Sequence, residues 1–216
     1  MLLVLLVAAG WSGTAGAGAD IDFGVAIRAG DDTELFMAIS SRYFGRDPGD
    51  VRDWRARYRD PDDAAVALFL AGRSGTHPEV VFQLRSGGLS WWEVGRRLDV
   101  QPEAWFVPCS YRPGPPYGRA YGFWRKYESN HKYRFELMDR EVRDLVAVRM
   151  LHDYYGMSPA VAMKWRSGQQ DVQSLMAREY RKRHPPEHAD RPDGGRHHGD
   201  RGEGHSKHGG GKSHGR

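Results

Sequence analysis

The sequence predicts an all-α protein. Three or four short helical hairpin units pack as a bundle or a short solenoid, with an irregular aromatic and basic insertion at 107–136 and a disordered tail at 184–216. Three observations carry this. A G-x-x-P punctuation recurs, apolar residues come after it at helical spacing, and nothing between 32 and 183 alternates long enough to require a sheet.

The punctuation reads Gly45-Arg46-Asp47-Pro48, Gly75-Thr76-His77-Pro78 and Gly156-Met157-Ser158-Pro159, with a degenerate copy at Asp99-Val100-Gln101-Pro102. Glycine takes the left-handed conformation that ends one helix, Asp or Ser caps the next, and proline is tolerated in a first turn. After the proline come Val51, Trp54 and Arg55, then Val81, Leu84 and Arg85, then Ala162, Trp165 and Arg166. The first two members of each triplet share a helical face and are expected in the core. The arginine falls near the helix end, where its charge suits the dipole. Two copies continue identically as Arg85-Ser86-Gly87 and Arg166-Ser167-Gly168.

In chain order, the first element is an export segment. Leu2 to Ala9 is apolar, A-x-A sites end at Ala17 and Ala19, and the first charge is Asp20, so residues 1–19 read as a signal peptide despite the lack of an early Lys or Arg. The expected location is periplasmic or secreted. Residues 20–183 form the helical domain. Leu35, Phe36, Ile39 and Tyr43 make a stripe behind Asp32 and Thr33; Asp60-Pro61 opens a helix ending near Gly72, with Val66, Phe69 and Leu70 inward. Leu145, Val148, His152 and Tyr155 make a third stripe, and Val172, Leu175 and Met176 a fourth. No later apolar run approaches the roughly 20 residues of a membrane span, and mean hydropathy is −0.69.

Two segments depart from this pattern. Four prolines and three glycines within 107–136 argue against a helix before about Ala120. Within 110–134 six cations face only Glu128, interleaved with aromatic side chains. Tyr111, Arg112, Tyr117, Arg119, Tyr121, Trp124, Arg125 and Lys126 are therefore candidate partner-binding residues, since aromatic faces stack on sugars or bases while cations attract phosphate or carboxylate. The alternative is a covering loop whose rings plug the gap between helices. The tail holds seven histidines and nine glycines against one aliphatic side chain, Ala189, too little apolar surface to order itself. His197, His198, His205, His208 and His214 are candidate ligands for weakly held nickel, zinc or copper; no cofactor is required.

No H-E-x-x-H, nucleophile elbow, P-loop, dinucleotide fingerprint or paired-cysteine motif occurs, which points away from an enzyme. Cys109 reads as a half-buried small hydrophobe, and His77 and His152 as structural. The run Gly88-Leu89-Ser90-Trp91-Trp92-Glu93-Val94-Gly95-Arg96-Arg97-Leu98-Asp99-Val100-Gln101-Pro102 resembles the first helix and turn of bacterial helix-turn-helix proteins, as does Tyr155-Gly156-Met157-Ser158-Pro159; the likeness spans about 88–107 and 145–168. It implies tri-helical units and, in that family, DNA binding. Yet the stretches after the turns, such as Pro102-Glu103-Ala104-Trp105-Phe106 and Pro159-Ala160-Val161-Ala162-Met163, are apolar or acidic and unsuited to reading bases. The expected role is thus non-catalytic binding of an envelope or extracellular protein or polyanion. Two other readings stay open: a cytoplasmic helix-turn-helix regulator, and an envelope enzyme with a site assembled near 107–136.

Overall fold

A computed structural model describes residues 31–168 and 170–185. Its helices are α1 (Asp32–Phe44), α2 (Pro48–Arg57), α3 (Pro61–Ser74), α4 (Pro78–Ser86), α5 (Trp91–Arg97), a 3-10 turn (Pro102–Ala104), α6 (Gly118–Ser129), α7 (Asp139–Tyr155), α8 (Pro159–Arg166) and α9 (Val172–Arg183). Among the described residues there is no strand, and the class is all-α. The export segment and the tail, with His197, His198, His205, His208 and His214, lie outside the described residues.

The punctuation works as its chemistry requires. Gly45, Gly75 and Gly156 end α1, α3 and α7 at φ of 60°, 67° and 63°, the left-handed region that glycine enters without a Cβ clash. Two residues on, Asp47, His77 and Ser158 accept backbone N–H bonds from Gly49, Glu79 and Val161, and proline then opens α2, α4 and α8. The degenerate copy behaves differently. Asp99 takes the glycine position at φ 56°, and Pro102 opens only a 3-10 turn, so a recognition helix is lacking where the helix-turn-helix likeness would place one.

Two long helices, α3 and α7, pack on each other at the centre; α9 closes against α1 and α3, and α8 against α7. The burial of α3 exceeds the one-sided stripe its sequence suggests. Residues 64 to 71 are all at most 2% exposed, because alanines on the remaining faces let neighbouring helices approach closely. Each fully buried side chain such as Ile39, Leu70 or Leu145 stabilises by roughly 1.5–3 kcal/mol. Of the six repeat positions expected inside, Val51, Trp54, Val81 and Ala162 are buried, whereas Leu84 and Trp165 are half-buried against the core. Trp165 is roofed by Arg178, whose guanidinium carbon lies 4.3 Å from the ring centroid.

Candidate functional site

The insertion is more helical and more buried than its prolines suggest. Helix α6 begins at Gly118, and Tyr117, Ala120, Tyr121 and Trp124 line one face of it, at most 9% exposed. Trp124 stacks on Phe106 at 4.9 Å, Tyr121 meets the same ring edge-on at 5.2 Å, and the Tyr121 hydroxyl donates to the Val107 carbonyl at 2.8 Å. Tyr117, Tyr121 and Trp124 are therefore core side chains with no face turned to solution. Burial pushes the Tyr117 and Tyr121 hydroxyls well above the ordinary phenol range. The remaining candidates are outward. Tyr111 is 38% exposed, with its hydroxyl on the Met163 sulfur at 3.4 Å. Its carbonyl accepts from Arg125 and from the Cys109 thiol. Arg119 pairs with buried Glu141 and lies over Phe123, Lys126 lies 5.6 Å from the Tyr133 centroid, and Arg112 is exposed. The structure thus brings Tyr111 and Arg125 together, while Arg119 and Lys126 lie against the rings of Phe123 and Tyr133.

A larger feature lies elsewhere, and no segment of sequence announces it. Helices α1, α3, α7 and α9 all direct their C-terminal ends to one cleft of about 790 Å3, where Arg42, Arg73, Arg149 and Arg183 converge. Its walls are aromatic: Tyr43, Phe44, Phe69, Tyr154 and Tyr155. Among the described residues Asp153 is the one carboxylate lining it. Its Oδ2 accepts from the Tyr43 hydroxyl at 2.8 Å and from Arg73 at 3.4 Å. Arg149 Nε lies 3.3 Å from the same oxygen, but that N–H is buried and makes no hydrogen bond, while Arg149 Nη1 donates to the Phe106 carbonyl at 3.1 Å. Arg183 donates to Glu179 at 2.7 Å and lies 4.9 Å from the Tyr155 centroid. Burial first, and then Asp153, push the Tyr43 hydroxyl well above its usual range; burial does the same at Tyr155. Both phenols therefore remain proton donors across the physiological range.

Cations at helix C-termini are also expected as dipole counter-ions, and the charge count bears on that reading. Each helix end brings about half a negative elementary charge. Four ends, Asp153 and the Glu179 that Arg183 pairs with together offset about four guanidinium charges, so the cleft is near neutral and what it offers is guanidinium N–H donors beyond those already engaged. Planar guanidinium donors beside an aromatic surface are the chemistry that meets a carboxylate or a phosphate.

A second cleft, of about 550 Å3, lies between α5 with the turn after it and the end of the insertion. Trp92, Tyr127, Tyr133 and Phe135 furnish its rings; Arg96, Asp99, Gln101, His131 and Arg134 furnish polar groups. Trp92 and Phe135 lie 4.9 Å apart at 36°. The buried indole N–H of Trp92 has no partner, a state that costs about 1–3 kcal/mol. Near Tyr111, burial raises the Cys109 thiol, which remains protonated near neutrality. Among the described residues no three His, Cys, Asp or Glu side chains are placed to hold a metal, and no helix is long and apolar enough to cross a membrane. The chain matches no known family, no curated protein and no solved structure.

Proposed function

We propose that this is a non-catalytic binding protein of the cell envelope or extracellular space, and that the arginine cleft takes an acidic group carried by its partner. One observation supports the reading above others. Four guanidinium groups rich in N–H donors line an open, aromatic-walled cleft beside Asp153. Arginine suits this task because its planar fork meets carboxylate or phosphate with two parallel bonds, and each charge-assisted bond contributes about 1.5–3 kcal/mol. An acidic polymer would present such groups one after another.

Titration calorimetry of the full chain with polygalacturonate and with polyphosphate tests this. Replacing both Arg73 and Arg183 by Gln should weaken binding by roughly ten- to a hundredfold and flatten its salt dependence, while circular dichroism stays unchanged. Unaltered affinity in that variant defeats the assignment. In this reading the tail adds weak chelation of nickel, zinc or copper by His197, His198, His205, His208 and His214. Alanine at those five positions should abolish retention on immobilised nickel. Export predicts a native chain beginning near Gly18 or Asp20, which N-terminal sequencing reads directly.

A further inference from the structure

We propose that the second cleft is a separate site for a neutral glycan, seating one pyranose ring against Tyr127, Tyr133 and Phe135, with buried Trp92 packed behind Phe135. The wall is concave rather than a slot. Phe135 meets Trp92 at 36° and Tyr127 at 67°, so neither pair offers the parallel faces that would sandwich a planar base. Tyr133 and Phe135 come nearer to parallel, at 19°, but their centroids are 6.3 Å apart, less than the roughly 7 Å that a ring stacked on both faces requires. A puckered sugar presents C–H edges on a curved face, and tilted rings receive it.

The polar rim narrows the ligand class further. The Asp99 carboxylate only accepts hydrogen bonds, whereas Arg96 and Arg134 only donate. A ligand matching both must donate and accept, as vicinal hydroxyls do. A proline-rich chain offers carbonyl acceptors and no donors, so it would leave Asp99 unmatched; a phosphate would be repelled by it.

Asp99 supplies a second, independent observation. The three other copies of this turn place Gly45, Gly75 and Gly156 at the left-handed position, where a side chain is unfavourable; here the chain carries a carboxylate at φ 56° on the rim of the cleft. Gln101 Nε2 donates to Asp99 Oδ1 at 2.7 Å and to its carbonyl at 3.2 Å, which orients the carboxylate and leaves Oδ2 to accept a sugar hydroxyl. Aspartate is tolerated in this conformation, but glycine is the less costly residue. The backbone cost is thus accepted at the one copy where the side chain faces a ligand-sized cleft.

The test is saturation-transfer NMR and tryptophan fluorescence on the full chain with β-1,4-glucose, β-1,4-N-acetylglucosamine and α-1,4-glucose hexasaccharides, with decaproline and AMP as the competing chemistries. At least one hexasaccharide should bind. Asp99→Gly should weaken that binding at least tenfold while the thermal midpoint holds or rises, because the turn relaxes as the contact is lost. Tyr133→Ala should weaken it comparably, and the Arg73→Gln, Arg183→Gln double variant should leave it unchanged, which separates this site from the arginine cleft. Binding of decaproline or AMP without any sugar, silence from all three sugars, or full sugar affinity in Asp99→Gly would each overturn the proposal.

Discussion

The joint between α4 and α5 and the joint between α8 and α9 share one plan at different depths. In each, the arginine ending the short helix reaches the carbonyl four residues on: Arg85 to Leu89 at 2.8 Å, Arg166 to Gln170 at 2.6 Å. Each also pairs with a carboxylate, Asp139 or Asp62, whose other oxygen accepts the first N–H of the next helix, Trp91 or Val172, at 2.8 Å. The carboxylates are exchanged between the halves of the chain, since Asp139 opens α7 and Asp62 lies in the first turn of α3. Arg143 adds a bidentate bond to Asp63 between the same two helices, at 2.7 and 2.9 Å. The difference lies in exposure and charge count. Arg85 and Asp139 keep 25% and 30% of their side-chain surface and form a simple pair. Arg166 keeps 11% and serves two carboxylates, Asp62 and Asp144, at 9% and 13%. Equal bonding patterns therefore carry unequal energies, because an unpaired charge is costly only where water is excluded.

Arg166→Leu is the sharpest way to break the comparison. It strands two buried carboxylates, and the expected loss is about 3–5 kcal/mol, or roughly 10 °C in thermal midpoint for a chain of this size. Arg85→Leu releases one half-exposed carboxylate and a guanidinium 4.6 Å from the Trp91 centroid, for about 1–2 kcal/mol. Equal losses from the two variants would show that depth is not what separates the joints. Acid titration sharpens the point. Burial raises the Asp62 carboxyl above its ordinary 3.8 even though Arg166 and the Val172 N–H pull it down. The native state holds that proton more tightly than the unfolded chain does, so the stability Asp62 contributes is full below its unfolded value and falls as pH rises through the raised one. Asp62→Asn lacks this fall. Chemical denaturation from pH 4 upward should therefore show the variant gaining on the parent chain.

The same two joints show what the sequence makes legible. Gly75 with Pro78 and Gly156 with Pro159 are local signals, since cap chemistry is written within four residues, and the helix starts there result from it. The Arg-Ser-Gly echo at Arg85 and Arg166 is equally visible, but its partners Asp139 and Asp62 are not, because pairing across the molecule leaves no mark on local spacing. The arginine cleft is illegible for that reason. Arg42, Arg73 and Arg183 each read as an ordinary helix-end cation, and only the convergence of four ends makes them a site. In the insertion, proline and glycine mask a helical period, Tyr117, Ala120, Tyr121 and Trp124, whose spacing marks them as core once it is counted.

Corresponding positions in the two units also differ in bulk. Gly95 in α5 matches Met176 in α9 when Pro78 is aligned with Pro159. Met176 is fully buried, whereas a Cβ on Gly95 would stand 2.4 Å from Cζ2 of Trp105, a ring packed against Phe69 and Trp92. Gly95→Ala is expected to cost about 1 kcal/mol net: overpacking of about 1–3 kcal/mol, less the roughly 1 kcal/mol that alanine gains over glycine within a helix. Calorimetric unfolding measures it. A stabilised variant would mean that Trp105 has room to move and that the first unit is packed more loosely than the second.

The smallest expected effect concerns the caps, where α5 carries a reciprocal bond and α9 pairs the same kinds of side chain one way only, with acid and hydroxyl exchanged. In α5 the hydroxyl comes first: the Ser90 N–H and hydroxyl donate to Glu93 Oε2 at 2.7 and 2.8 Å, and the Glu93 N–H returns to Ser90 at 3.2 Å. In α9 the acid comes first, with the Ser174 N–H and hydroxyl donating to Asp171 at 2.8 and 3.1 Å. Those donations from Ser90 hold the Glu93 carboxyl below its ordinary 4.5, the backbone N–H contributing most. A lowered folded value means that the cap's contribution is present above pH 4.5 and is lost as pH falls through the lower one. Glu93→Gln should therefore lower the thermal midpoint slightly at pH 6, by less than Gly95→Ala does, and converge with the parent chain in acid. A gap that persists below pH 3 would show that Glu93 acts through its shape and not its charge, and that the exchange of acid and hydroxyl between the two caps is electrostatically silent.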